Sequence, residues 1–287
     1  MANLKEIRAR ISSVGSTMQI TSAMKMVSAA KLKRAQDAIT QMRPYANKLR
    51  ELLVNLSSTL EGADGGTYAQ EREIKKVLLV TITSNRGLCG AFNSNIIKRA
   101  KSLVENEFKN AEVSFLTIGK KGSEFFAKNG FNVHSSHDGL FDDLTFENTS
   151  QIAQMLMDGY LQVNFDKVVL IYNQFKNAAT QLVMAEQFLP VETPAEEGAT
   201  IGDYIFEPSK EEIVTDLIPK SLKIQLFKGV LDSYASEHGA RMTAMHKATD
   251  NAGELKKDLT LTYNKARQAA ITGEILEIVG GAEALNG

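Results

Sequence analysis

The sequence is short of cysteine, short of proline and free of long apolar runs, and each shortage removes a class of protein. Cys89 is the only cysteine among 287 residues, which excludes an intrachain disulfide, a dithiol switch and a cysteine-rich zinc site. The longest apolar runs, VLLV and VVLIY, fall far below the roughly 20 residues that a bilayer-spanning helix needs. The opening MANLKEIRARI lacks the apolar core of a secretory signal, so the chain is expected to stay in the cytosol. Only five prolines occur, and none follows Pro219. No internal repeat or low-complexity tract is visible.

What is present is ordinary in bulk and uneven in detail. The chain is 43% hydrophobic and 23% charged, the balance of a globular protein with a sizeable core. The formal net charge of −1 hides an asymmetry: residues 1–50 hold ten Lys or Arg against two Asp or Glu, and the remainder holds twenty-three against thirty-two. A basic N-terminal segment points to nucleic acid, an acidic membrane or an acidic protein partner, or to a solvated helix face.

Both ends of the chain carry a long heptad rhythm. Alternating steps of three and four link Leu4, Ile7, Ile11, Val14, Met18, Thr21, Lys25, Ser28, Leu32, Ala35, Ile39, Met42, Ala46, Leu49, Leu53, Leu56 and Leu60. That spacing predicts a coiled-coil helix, weakened or bent at Pro44 and stopped by EGADGG at 61–66. The same steps run from Ile224 through Phe227, Leu231, Tyr234, His238, Arg241, Met245, Ala248, Ala252, Leu255, Leu259, Thr262, Ala266 and Ala269. A single helix over 220–280 would span roughly 90 Å, more than a compact body of this size can wrap. The two seams are expected to bury each other as an antiparallel pair. Gly229, Gly239, Gly253 and Gly273 each cost such a helix about 1 kcal/mol relative to alanine, so close packing or local compliance is expected around them. In the tract QITSAMKMVSAAKLKRAQ (19–36) the seam turns polar while Ala23, Met24, Val27 and Ala30 form a small apolar face elsewhere. That pattern marks either a register shift or a face offered to a partner.

The middle alternates strand and helix. KKVLLVTIT, AEVSFLTIG, FNVHSS and KVVLIYN predict strands, and 93–109, 120–129 and 146–163 predict helices. The arrangement is that of an α/β domain with a mostly parallel sheet, extended by an antiparallel edge strand at ATQLVMAEQFLP. PVETPAEEGATIGDYIFEP (190–208) reads as a loop. The expected division is a coiled-coil helix over 1–62, an α/β domain over 63–208, and a second coiled-coil helix over 209–287. The fold class is therefore α+β: an antiparallel two-helix coiled coil with an inserted Rossmann-like domain.

The strand–turn–helix at VLLVTITSNRGLCGAFNSNIIKRA (77–100) invites a phosphate. Yet Gly87 and Gly90 match neither G-x-x-x-x-G-K-[ST] nor G-x-G-x-x-G, so the glycines are expected to serve turn geometry and Arg86 to face a protein partner. His134 and His137, with Asp138, Asp142 and Asp143 near, lack the cysteine or helical glutamate pattern of a metal site. His238 and His246 fall on the second long helix, and no nucleophile–base pairing has motif support. No catalytic residue, cofactor or metal is expected.

Several of these segments, in order and over the whole chain, resemble the γ subunit of the bacterial F-type ATP synthase. KEIRARISSV, QITSAMKMVSAAKLKRAQ and RPYA resemble that family's first helix, TSNRGLCGAFN the turn after its first central strand, and DYIFEP the approach to its last helix. SEHGARMTAMHKATDNAGEL and YNKARQAAITGEILEIVGGAEAL resemble its C-terminal helix, with Ile271, Thr272, Glu274, Glu277, Gly281 and Ala282 at the spacing of its terminal signature.

The resemblance implies a rotor shaft inside a ring of three α and three β subunits. Its α/β domain would lie at the foot against the ε subunit and the membrane c ring, at the cytoplasmic face of the bacterial cell membrane, peripheral and without nucleic acid. It implies that Arg267 and Gln268 hydrogen-bond an acidic β loop, and that Met24 and Lys25 face the β lever region. Ile7, Arg8, Ile11, Ile275, Ile278 and Val279 would touch the sleeve around the shaft tip, and Arg86, Tyr204 and Glu207 would touch ε or the c ring. The chain itself would be non-catalytic. The readings that compete are a cytosolic coiled-coil adaptor with a degenerate nucleotide-binding-like domain, a nucleic-acid binder using the basic first helix, and a nucleotide-binding enzyme using the turn at 84–92.

Overall fold

The structure is a computed structural model that describes residues 4–57, 68, 72–191 and 210–286. Its elements are α1 (Leu4–Ser57), β1 (Lys76–Ile82), α2 (Phe92–Ser102), β2 (Glu112–Ile118), α3 (Lys120–Lys128), β3 (Val133–Ser136), α4 (Phe146–Leu161), β4 (Lys167–Phe175), β5 (Gln181–Leu189) and α5 (Lys210–Asn286). A turn of π-helix (Leu103–Glu107) continues α2, and a 3-10 turn (Asp138–Phe141) precedes α4. The chain forms two compact units, one from Met1–Ser28 with Met242–Gly287 and one from Ala29–Arg241. No described helix is long and apolar enough to cross a membrane.

In the larger unit the sheet order is β3-β2-β1-β4-β5, with β1, β2, β3 and β4 parallel and β5 antiparallel at the edge. Central strands of such a sheet are covered on both faces, which is why KVLLVTI is nearly continuous in apolar residues rather than alternating. The period of two still sorts them. Val77 and Leu79 pack with Phe115, Val169 and Ile171 under α2 and α3, while Leu78, Val80 and Ile82 pack with Leu116, Leu170 and Tyr172 under α4 and α5. Each such side chain taken fully out of water contributes about 1.5–3 kcal/mol. The aromatic layer beneath α3 is tight, with Phe115 and Phe126 stacked at 4.2 Å. Between β2 and α3 the chain turns at Gly119 with φ 102°, where an added Cβ would lie 2.0 Å from the Thr83 carbonyl oxygen, so no other residue fits.

Within that unit Leu32, Ala35, Ile39 and Leu49 of α1 are buried, as the heptad rhythm requires. α1 continues as helix through Pro44. On α5, Ile218, Leu222, Leu226 and Val230 join the core on the α4 face of the sheet. Two of the six glycines of α5 have neighbours here: a Cβ on Gly229 would meet the Tyr172 ring at 3.5 Å, and one on Gly239 would meet the Ala178 Cα at 3.2 Å. At Gly239 the added atom would be tight against backbone, while at Gly229 it would make ordinary van der Waals contact with the ring.

In the smaller unit the start of α1 and the end of α5 run antiparallel. Thr21 and Thr249 share a hydroxyl hydrogen bond of 2.8 Å, Lys25 Nζ lies 3.4 Å from His246 Nδ1, and the positions of Gly15 and Gly253 abut Lys256 and Met18. As the residue number rises on one helix it falls by the same amount on the other. The polar stretch of the seam is thus still inward-facing, with Thr21 and Ser28 buried, and it is no register shift. On α5 the expected seam holds through Ala252 and then changes: Leu255 is 50% exposed while Lys256 is half-buried, and Tyr263 and Ala270 replace Thr262 and Ala269 on the covered face. A helix of 3.6 residues per turn drifts about 20° per heptad from a strict 3.5 repeat, which moves the inward line by one position.

Candidate functional site

The glycine turn after β1 settles what that motif does. Ser84 is buried, its N–H donates to Asn93 Oδ1 at 2.9 Å, and its hydroxyl donates to the Arg86 carbonyl at 2.7 Å. Asn93 also donates to Ser84 Oγ and, at 3.3 Å, to Cys89 Sγ, so the first turn of α2 is stitched to the end of β1. Asn85 ties the same turn sideways, donating to the Asp138 carbonyl and accepting from the Lys120 N–H. Leu88 and Gly90 both take positive φ, 61° and 60°, and Leu88 is 65% exposed.

The carbonyls of Arg86 and Gly87 point at a guanidinium. Arg241 of α5 donates from Nη2 to the Arg86 carbonyl at 2.8 Å and to the Gly87 carbonyl at 3.2 Å, and from Nε to the Gly87 carbonyl at 3.3 Å. Its Nη1 donates to Glu237 Oε1 at 2.6 Å, one helical turn back, in an ion pair buried on both sides. A phosphate loop turns N–H groups outward to an anion; this turn offers carbonyls to a cation of its own chain. Burial raises the Glu237 carboxyl above its ordinary value, and Arg241 opposes that rise. His238 is also buried, with its ring edge-on to Tyr234 at 4.5 Å. Desolvation first, then Arg241 and Lys31, lower its pKa to about 3. Arg241 Nη1 lies 3.4 Å from His238 Nδ1, which fixes Nδ1 as acceptor and leaves the proton on Nε2, a buried atom with no hydrogen-bond partner among the described residues.

The heptad pattern places His238 and Arg241 on the buried seam but gives them no task. The available signal is two ionisable residues at core positions of a heptad, with Glu237 four residues before Arg241. Nothing local in the sequence says that the partner of Arg241 is a pair of carbonyls 154 and 155 residues away.

The residues named by resemblance fall in several places. Arg267 and Gln268 are exposed on α5, and so are Ile275, Ile278 and Val279, the last three 54%, 71% and 55% exposed. Arg8 is exposed on α1, while Ile7 is buried and Ile11 half-buried on its inward face. Met24 and Lys25 are half-buried, and the lysine reaches toward His246, which in turn lies 3.3 Å from Asp250. Arg86 is exposed at the turn, and Tyr204 and Glu207 lie outside the described residues. Counting outward along the antiparallel pair, Leu4 stands level with Arg267, so α5 continues beyond the start of α1. Ile271, Ile275, Leu276, Ile278 and Val279 on that continuation are all about half exposed or more.

The model of a family described as ATP synthase matches residues 3–285. The ATP synthase gamma chain of Flavobacterium johnsoniae is 68% identical over 288 residues, covering the whole of both chains. This chain belongs to the ATP synthase γ family. The gamma chain of Christiangramia forsetii is 63% identical, again over the full length of both. Among solved structures, a chain of the Tetrahymena thermophila mitochondrial ATP synthase central stalk and c ring is 27% identical, with a TM-score of 0.60 over 80% of this chain and 99% of that one. A chain of the Euglena gracilis mitochondrial ATP synthase in rotational state 3 is 22% identical, with a TM-score of 0.70 over 98% of this chain and 94% of that one, and shows the shared fold. The family membership and fold class expected from the motifs both hold, and the adaptor reading is not favoured.

Proposed function

We infer that the chain is the central shaft of a proton-translocating F-type ATP synthase, non-catalytic itself, which couples ion flow through the membrane c ring to ATP synthesis in the ring of α and β subunits. The observation that carries the inference is the end of α5, where five large apolar side chains stand exposed on a helix that has outrun its mate. A patch of that kind needs a cover, and a ring of α and β subunits supplies one. The chemistry of the cover matters. One elementary charge crossing 100 mV releases about 2.3 kcal/mol, so several must be pooled for each ATP, and the element that pools them has to turn under load. Apolar contact through the exposed Ile275, Ile278 and Val279 is non-directional and favours no single orientation of the shaft. At the start of α1, exposed Arg8 would meet the sleeve with Ile7 and Ile11 backing it from the inward face.

Directional contacts then belong where the shaft must catch β. Arg267 and Gln268 suit an acidic β loop through charge-assisted hydrogen bonds, with Met24 and Lys25 facing β lower on the pair. The foot would meet ε and the c ring through Arg86, Tyr204 and Glu207, at the cytoplasmic face of the membrane, so that membrane contact comes only through the complex. Pull-down of the tagged chain from its own cell membranes tests the reading. The α and β subunits are expected with it in fixed proportion, along with ATP hydrolysis; recovery of the chain without either subunit would overturn the assignment.

A further inference from the structure

If this chain is a driven shaft, torque enters through the larger unit and is delivered by the paired helices, so the joints that fasten α5 to the sheet carry the load. Most of that joint is apolar: Ile218, Leu222, Leu226 and Val230 lie against the sheet. Apolar packing resists separation but has no preferred direction, and it resists rotation of a helix about its own axis only weakly. Hydrogen bonds are directional and fail steeply with angle.

Polar contacts interrupt the apolar packing: Ser236 donates to the Asn173 carbonyl of β4 at 2.9 Å and Ser233 to the Ile82 carbonyl of β1 at 3.5 Å, and two larger fastenings flank them. At the first, Gln225 donates from Nε2 to Glu186 Oε1 at 2.8 Å and to the Gln187 carbonyl at 3.0 Å, both on β5. The other oxygen of Glu186 accepts from the buried Tyr172 hydroxyl of β4 at 2.6 Å, so the carboxylate bridges a helix and two strands. At the second, about four turns further along α5, Arg241 holds the Arg86 and Gly87 carbonyls while Glu237 steadies its guanidinium. The turn it grips is itself fastened to α2 through Ser84 and Asn93, and through Asn85 to the first residue of α3 and the 3-10 turn before α4. The first fastening lies toward the β5 edge and the second at the end of β1, so rotation of α5 about its axis strains both.

We propose that the Gln225–Glu186–Tyr172 bridge and the Arg241 clasp key α5 to the sheet against axial rotation, which makes Gln225, Glu186 and Arg241 positioning residues for coupling rather than contacts for any other subunit. The proposal rests on the shaft reading above. Losing one key leaves the other in place; losing both leaves apolar packing and the single-hydroxyl contacts of Ser233 and Ser236, and the helix slips under load.

The test uses the assembled complex in membrane vesicles, with Gln225→Leu, Arg241→Lys and the two combined. ATP hydrolysis and ATP-driven proton uptake are measured on the same preparation, at equal content of assembled chain. Each single variant is expected to lower proton uptake per ATP by less than about 1.5-fold. The double variant is expected to lower it at least threefold, well beyond the product of the singles, with hydrolysis within twofold of the unaltered complex. Unchanged uptake per ATP in the double variant, or uptake and hydrolysis falling together, would overturn the proposal. Should the double variant fail to assemble, Glu186→Gln with Arg241→Lys replaces it under the same criteria. Failure of the shaft reading is separately visible, because the unaltered chain would then be absent from the complex before any variant is made.

Discussion

Replacing Arg267 and Gln268 together by alanine is expected to lower ATP synthesis in membrane vesicles about tenfold or more, while the chain still assembles and folds normally. Both side chains are exposed on α5, level with the first residues of α1, so truncating them removes nothing from the core. Surface substitutions of that kind usually change stability by no more than about 0.5 kcal/mol. Their value lies in the contact proposed with an acidic β loop. A hydrogen bond to a charged group contributes about 1.5–3 kcal/mol, and each 1.4 kcal/mol is a factor of ten. Synthesis is the sensitive readout, because the catch must hold while torque is applied through it. Wild-type synthesis in the double variant would remove these two residues from the binding surface and leave the catch to others.

The second large effect is acid destabilisation set by His238. Its neutral ring is buried beside Arg241 and Lys31, and its pKa falls from 6.5 to about 3. A histidine whose folded pKa is depressed contributes stability at and above its unfolded pKa, and loses it as the pH falls toward the folded value. Between pH 6.5 and about 3 the unfolded chain holds the extra proton, so stability drops by up to about 1.4 kcal/mol per pH unit. Glu237 runs the other way, since its raised pKa lets the folded chain take up a proton first. His238→Phe separates the two: it keeps an aromatic ring against Tyr234 and removes the titrating group. The variant's denaturant midpoint is expected to fall much less between pH 6.5 and 4 than that of the unaltered chain. Parallel pH profiles for the two would show that His238 does not control the acid limb.

Much of the fold was legible because it rests on periodicity. The β-branched runs became β1, β2 and β4, and ATQLVMAEQFLP became the antiparallel edge strand β5. The heptads of both terminal segments mark the faces that are covered, from Leu4 to Leu49 and from Ile224 to Ala252. Where the pattern misled, the cause was quantitative. A strict 3.5 repeat drifts against a 3.6-residue helix, so Leu255 turned outward and Lys256 inward. The mismatch between the glycine turn and the phosphate-binding motifs was visible in the residues themselves, but the task the turn performs was not. The Arg241 clasp joins a side chain to backbone oxygens far away in sequence, and carbonyls carry no sequence signature. The glycines of α5 were equally ambiguous until their neighbours were known: Gly229 and Gly239 lie against the sheet and Gly253 against Met18, while nothing stands within 4 Å of a Cβ on Gly273.

The central claim is that this chain turns inside the catalytic ring. The direct measurement is single-molecule rotation: the complex is fixed to a surface through β, and a bead is attached to the shaft chain through a cysteine placed at the exposed Lys109. On addition of ATP the bead is expected to rotate continuously in one direction, pausing at three positions per revolution. A bead that stays still while the same complexes hydrolyse ATP would contradict the account.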